Sequence, residues 1–209
     1  MRLVLATANP DKAAEVAAIL EEELDDLIEL VARPQDVGAV EETGETLEDN
    51  ARLKAVAVVA ASGEAAVADD TGLEVAALGG APGTWSARFA GETASYADNV
   101  AKLLAVLEGE TDRRARFRTV VVCRFPDGTE IVGEGVVEGE IEPAPRGLGG
   151  FGYDPVFAPK GGGGRTFAEM SPAEKHELSH RGLALRCFAA RLNQSKAAAP
   201  ASSPRLPTS

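Results

Sequence analysis

Two neighbouring carboxylates, Asp69 and Asp70, close the apolar run AAVADD, and lysines at positions 12 and 54 fall in or beside helical stretches. Carboxylates hold divalent cations and lysines hold phosphates, so these residue types would suit a site that seats Mg²⁺ against a phosphorylated ligand. AAVADD reads as a short buried strand with both aspartates at its C-terminal end, where open α/β sheets gather ligands; a turn or cap role for one of them is the alternative. Side chains alternate along extended chain, so Asp69 and Asp70 should point to opposite faces. TANPDK, Thr7 to Lys12, lies where a strand hands over to a helix. Helix N-terminal amides, a loop amide and Lys12 would cradle phosphate there, although a plain loop turning at Asn9-Pro10 accounts for the same letters. In EETGETLEDNARLKA, Asn50 and Lys54 are one helical turn apart and address one space, with Glu41 or Glu42 in the loop before them. A solvated acidic loop with an exposed lysine would look the same. Arg88 adds a cation, either at the surface or on phosphate. GGFGYDP sets Phe151 and Tyr153 in a glycine-rich loop before Asp154, where an aromatic either stacks on a flat base or plugs the core.

A further motif spells a different chemistry. HELSH, His176 to His180, matches H-E-x-x-H, in which two histidines on one helical face grip Zn²⁺ and the glutamate activates water. A third ligand is needed, yet from Leu178 to Ser209 the chain has no Asp or Glu and no His beyond His180. Ser179 reads as an N-cap followed by the apolar stripe Leu183, Leu185, Phe188 and Leu192. A helix begun there leaves His176 in the preceding turn, and the two imidazoles need not share a face.

The elements that must position these groups follow from the hydrophobic pattern. RLVLATANP is a strand entering a loop, and DKAAEVAAILEEEL a helix with Ala14, Val16, Ala17, Ile19 and Leu20 on its apolar side. LIELVARP is a second strand. A helix follows Thr46, its N-cap, with Asp49 as third helical residue in a capping box. After AAVADD comes a Gly- and Pro-punctuated stretch, then the helix SYADNVAKLLAVLEG with the stripe Val100, Leu103, Leu104 and Leu107. RARFRTVVVCRF and EIVGEGVVEGEIE flank an Asp-Gly turn as two long strands. The order predicts a mixed α/β sheet covered by helices. Residues 1–195 read as a single domain, and 196–209, rich in Ala, Pro and Ser, as a disordered tail.

Bulk properties narrow the class. The 209 residues are 44% hydrophobic and 26% charged, ordinary for a soluble domain. A net charge of −12 leaves no basic stripe for a nucleic-acid polymer. The longest apolar run, AVAVVAA, is too short to span a bilayer, and the N-terminus reads as a strand in place of a signal peptide. Cys123 and Cys187 lack metal-ligand spacing and fit reduced thiols of a cytosolic protein.

From residue 3 to about residue 192 the chain resembles the inosine triphosphate pyrophosphatase family, also called XTP/dITP diphosphatases. The blocks that carry the resemblance are LATANPDKAAE, EETGETLEDNARLKA, ADDTGLEVAALGGAPGTWSAR and GGFGYDPVFAPKGGGGRTFAEMSPAEKHELSHRGLAL. EKHELSHRG matches a family stretch with Asn where His176 stands, so the protease signature arises from that one substitution.

The resemblance implies a twisted mixed sheet with a nucleotide cleft. It also implies Mg²⁺-dependent cleavage of dITP, ITP and XTP between the α and β phosphates, in a cytoplasmic homodimer without nucleic-acid or membrane partners. Thr7, Ala8, Asn9, Pro10, Asp11 and Lys12 would line the triphosphate and sugar site, and Lys54 would approach phosphate. Asp70 would accept a proton and ligate the metal, with a further ligand from Glu41 or Glu42, and Asp69, pointing the other way, would support it; the reverse assignment of the two aspartates is the alternative. Thr71 stands where Ser is common and would bring its hydroxyl to the substrate site. Phe151, Gly152, Tyr153 and Asp154 would hold the base, and Lys175, His180 and Arg181 would complete substrate binding. Ala8 replaces a frequent Gly, which puts the backbone geometry of the phosphate loop in question. Donors from His180 and Arg181 aimed at a 6-oxo group would disfavour adenine by roughly 1–3 kcal/mol per unpaired buried group. A purine-nucleotide sensor without turnover would use the same residues.

Overall fold

The computed structural model describes residues 1–198. The first strand, β1 (Arg2–Leu5), leads through an irregular loop into helix α1 (Pro10–Leu24). Asn9 caps α1: its side chain accepts from the Asp11 and Lys12 amides, and Pro10 follows where no amide is needed. Val16, Ile19, Leu20 and Leu24 form the buried stripe of α1. Strand β2 (Glu29–Val31) follows, then helix α2 (Leu47–Ser62), capped by Thr46 as its sequence predicts and ended by Gly63 in the left-handed region at φ 69°.

Strand β3 (Ala65–Val75) is longer than the sequence suggests. TGLEV continues the strand because β5 (Arg114–Arg124) pairs antiparallel with it from Ala66↔Arg124 to Val75↔Ala115. Asp69 and Asp70 therefore lie mid-strand and not at its end. They nevertheless lie beyond the parallel part of the sheet: β1 pairs with β3 only as far as Leu5↔Val67. The short β4 (Pro82–Gly83) joins the edge of β3 only at Leu73 and Glu74. Between those two partners, residues 68–72 pair with no strand on that edge, and the two aspartates lie there, buried.

Helix α3 (Tyr96–Val106) starts with a full capping box on Ser95 and Asp98. Strands β5 and β6 (Glu130–Ile141) form the expected hairpin, and β7 (Phe157–Pro159) adds to β6. The sheet order is β2-β1-β3-β5-β6-β7, with β4 beside β3. It is mixed, as the element order predicts. Helices α4 (Pro172–Leu178) and α5 (His180–Ala198) close the chain. Lys196 to Ala198 are thus the end of α5 and not the start of a tail; the rest of the expected tail lies outside the described residues.

Three apolar clusters build the core. One packs α1 and α5 on the sheet face of Leu3, Val67 and Val121; the second packs α2 on the opposite face of Val4, Ala66, Ala68 and Val120. The third joins Leu73, Leu103, Phe117, Phe157 and Phe167. Along β3, Asp69–Gly72 is the interval between them. Cys123 is buried and Cys187 half-buried, and both are free thiols; burial pushes Cys123 up to about 12.

Close packing of α5 needs glycine in β6. A Cβ at Gly135 would collide with the His180 carbonyl and the Ala184 amide, and one at Gly133 with Ala184 and Phe188. Gly135→Ala is expected to lift the N-terminal turn of α5 from the sheet and cost roughly 1–3 kcal/mol, as overpacking does. A urea midpoint equal to that of the wild type would show that α5 can shift freely.

Candidate active site

Alternation along β3 sends its two aspartates to different partners. Asp70 faces α2, where its Oδ1 accepts from Lys54 Nζ at 2.9 Å and its Oδ2 from Asn50 Nδ2 at 3.4 Å. The same Lys54 ammonium donates to Glu42 Oε1 at 2.9 Å. Asn50 and Lys54 thus share a helix face, as their spacing predicts. Glu42 is drawn in, and Arg88 Nη1 stands 3.5 Å from its Oε2; Glu41 is exposed. Burial pushes the Asp70 carboxyl up, offset only in part by Lys54 and Lys12. Burial works against the Lys54 ammonium, but Asp70 and Glu42 outweigh it and raise its affinity for the proton.

Asp69 faces the other way, toward α1 and α5. Its Oδ2 lies 3.3 Å from Lys12 Nζ and accepts from Arg181 Nε and Nη2 at 3.2 Å each. Burial alone would raise this carboxyl, yet Lys12, Arg181 and Lys54 hold it well below the carboxylate range. It is a fixed anion that positions cations. Lys12, by contrast, is lowered by burial despite Asp69.

A second charged group holds the opposite wall. Lys175 donates to Asp154 Oδ2 at 2.6 Å and to Glu15 Oε1, and Arg181 Nη1 donates to Glu15 Oε2. Glu15 was not singled out in the sequence, although it follows Lys12 by three residues on α1 and must share its face. Asp154 Oδ2 also accepts the Phe151 amide at 2.8 Å, and a side chain at Gly150, where φ is 67°, would strike that carboxylate. Burial pushes Asp154 up more than Lys175 pulls it down. Above this wall Lys175 Nζ and the Arg181 guanidinium lie 4.7 and 5.5 Å from the centre of the half-buried Phe151 ring. Tyr153 takes the other course left open for an aromatic: it is buried in the core and donates its hydroxyl to the Ser86 carbonyl at 2.9 Å.

His180 is buried against Phe117, with ring centres 4.5 Å apart, and its Nδ1 lies 2.6 Å from Thr119 Oγ1. Burial, Arg181 and Lys175 drive its pKa well below the usual imidazole value, so it is neutral. His176 lies on α4 and not in a turn. The two helices part at Ser179, whose extended backbone (ψ 153°) and Oγ, accepting from the Gly182 amide at 3.1 Å, cap α5. The two histidines of HELSH therefore sit on separate helices.

These groups surround one cleft, lined on one side by Asp70, Glu42 and Lys12 and on the other by Phe151, Lys175, His180 and Arg181. Asn9, Thr71, Gly152, Tyr153 and Asp154 also line it. The enclosed part measures about 120 Å³. Tyr96, also absent from the sequence reading, closes the rim. Its hydroxyl accepts from Asn9 Nδ2 at 2.9 Å and donates to Asp11 Oδ2 at 3.0 Å, and its ring lies 5.8 Å from Phe151. Thr7, Ala8 and Pro10 form the turn into α1 without lining the cleft. Asp25 is the only non-glycine residue with positive φ among the described residues, so Ala8 fits its place without strain. A larger hollow of about 820 Å³ lies at the far ends of β5 and β6. Four of its charges pair within the wall, Glu74 with Arg116 and Lys160 with Glu138, and none of its lining residues is a buried polar one.

The model of the Ham1 family matches residues 3–191. The chain is 50% identical over 188 residues to the dITP/XTP pyrophosphatase of Syntrophobacter fumaroxidans, covering 88% of this chain and 78% of that protein. It is 49% identical to the enzyme of the same name from Nitratidesulfovibrio vulgaris, over 88% of this chain and 92% of that one. Among solved structures, a HAM1 protein from Coxiella burnetii superposes with a TM-score of 0.83 at 40% identity, covering 93% of this chain and 99% of the other.

Proposed function

The chain belongs to the Ham1 family, and from that premise we propose that it hydrolyses non-standard purine nucleoside triphosphates, dITP, ITP and XTP, to the nucleoside monophosphate and pyrophosphate. The observation that carries the reading is the division of the cleft. One wall offers Lys12 and the carboxylates Asp70 and Glu42, which Lys54 bridges without itself lining the cleft; the other offers an aromatic face, Phe151, beside Lys175, His180 and Arg181. A polyphosphate suits the first and a flat oxo-purine the second.

Water attack on the α-phosphorus builds negative charge on phosphate oxygens, so positioning and cations do most of the work. Lys12 and Lys54 would exchange their carboxylate partners for phosphate oxygens. Asp70 would orient the attacking water and take its proton. Among the described residues no three acidic, His or Cys side chains form an all-protein cage. Two converging carboxylates nevertheless fit Mg²⁺, which binds through one or two carboxylates plus substrate phosphates. Asp70 and Glu42 would hold it, and it would supply charge neutralisation and a lowered water pKa. A homodimer in the cytoplasm completes the proposal, supported by the family resemblance. Among the described residues no helix is long and apolar enough to cross a membrane.

Product analysis with dITP, XTP and ATP in the presence of Mg²⁺ tests the whole. Pyrophosphate should appear from dITP and XTP with kcat/KM at least roughly tenfold above ATP, the discrimination one unpaired buried donor gives. Orthophosphate as first product would indicate stepwise dephosphorylation. Binding without any product would leave only a sensor.

A further inference from the structure

Tyr96 opens α3 at the rim of the cleft, and its side chain touches both ends of it. Its hydroxyl lies between Asn9 and Asp11 at the start of α1, where Lys12 follows. Its ring centre is 5.8 Å from that of Phe151, with the planes inclined at 37°. On the reading of the cleft as a nucleotide site, we propose that Tyr96 is a specificity-determining residue for the sugar. Its hydroxyl fills the place where a sugar hydroxyl would otherwise be read, and so makes the cleft indifferent to the 2′- and 3′-hydroxyls of the pentose.

The place of the sugar follows from connectivity. In a nucleotide the pentose joins the base to the α-phosphate. With the base on Phe151 and the phosphates at Lys12, the pentose crosses the gap that Tyr96 spans.

The indifference follows from counting hydrogen bonds. Asn9 Oδ1 accepts from the Asp11 and Lys12 amides at 2.9 and 3.3 Å, which fixes the carboxamide and turns Nδ2 to Tyr96. That nitrogen can only donate, so Tyr96 Oη accepts from it at 2.9 Å. The hydroxyl proton goes to Asp11 Oδ2 at 3.0 Å, since a carboxylate can only accept. Each bond therefore has one direction. A site rejects an analogue that lacks a hydroxyl when its own polar groups are then left unpaired. Here Asn9 Nδ2, Tyr96 Oη and Asp11 Oδ2 already serve one another, so a deoxy sugar leaves none of these bonds unmade. Removing the Tyr96 hydroxyl reverses the case. A donor on Asn9 and an acceptor on Asp11 then face a gap. A sugar hydroxyl, with a lone pair and a proton, closes it, and a bare CH₂ does not.

Tyr96→Phe is the test, because the side chain is 42% exposed and loss of its oxygen opens no core. The substrates are ITP, dITP and 2′,3′-dideoxy-ITP. Wild type should turn over all three with kcat/KM within about threefold, less than one hydrogen bond to the sugar is commonly worth. Tyr96→Phe should separate them by roughly three- to tenfold where the nearer hydroxyl is lost, the worth of one such bond, in KM and not in kcat. A variant that treats the three alike would overturn the proposal. So would a wild type that already loses about tenfold on the dideoxy substrate, since its sugar hydroxyls would then be read. If wild type releases no pyrophosphate from any of the three, the parent reading falls. Calorimetry with IMP, dIMP and 2′,3′-dideoxy-IMP on both proteins then makes the same comparison without turnover, and no binding of any of them would sink both readings.

Discussion

Asp70→Asn is expected to keep nucleotide binding within a few-fold of wild type while lowering kcat roughly 10²- to 10⁴-fold, the usual contribution of a positioned base. The amide has nearly the shape of the carboxylate, and its one oxygen can still accept from Lys54, which donates to Asp70 Oδ1 at 2.9 Å, while its nitrogen replaces the oxygen that accepts from Asn50 at 3.4 Å. What it cannot do is take a proton or hold a cation by charge. Burial already weakens the hold of Asp70 on its own charge, and Lys54 opposes that only in part. A carboxyl so placed is a better proton acceptor than an exposed one of ordinary pKa. Asp69 offers no substitute, since its Oδ2 is committed to Lys12 and Arg181 on the far side of the strand. Single-turnover rates, with binding measured separately, check the split between kcat and affinity. A variant with near wild-type kcat would move the catalytic role elsewhere.

How much of this was legible beforehand divides along a physical line. Signals confined to a few residues were readable. The caps Thr46 and Ser179, the shared face of Asn50 and Lys54, and the opposed directions of Asp69 and Asp70 all follow from helix and strand periods. Features that depend on a distant partner were not. The second half of β3 reads as a turn because Thr71 and Gly72 break the apolar run, and only pairing with β5 makes it strand. Which of Glu41 and Glu42 reaches the cluster is not legible because a loop carries no period; in the structure Lys54 and Arg88 pair with Glu42. Glu15 was hidden for another reason. The helix was read by its apolar stripe, whereas the partners of Glu15 are 160 and 166 residues away. Thr119, an ordinary strand residue by composition, gains meaning only beside His180.

Glu15→Ala is the second large effect, and it should appear first in stability. Lys12, Lys175 and Arg181 are balanced by Asp69, Asp154 and Glu15, all with largely buried side chains. Removing Glu15 leaves Lys175 with Asp154 alone and Arg181 with Asp69 alone, so one positive charge in the wall is uncompensated. Breaking a buried pair from one side costs about 3–5 kcal/mol, which for a domain of this size is a fall in Tm of roughly 6–20 °C. The pH dependence has a defined sign. Burial would raise the Glu15 carboxyl, but Arg181 and Lys175 overcome burial and hold it below its ordinary value of 4.5. Its contribution is therefore fully present above that value and lost as pH falls through the lower folded pKa. The wild-type advantage over Glu15→Ala should be constant near neutrality and shrink in acid. Because Lys175 and Arg181 also carry the face of Phe151, the variant should raise KM for dITP at temperatures where it remains folded. A melting temperature within a degree or two of wild type at pH 7 would mean that water replaces Glu15 freely. The wall beside Phe151 would then be set by Asp69 and Asp154 alone.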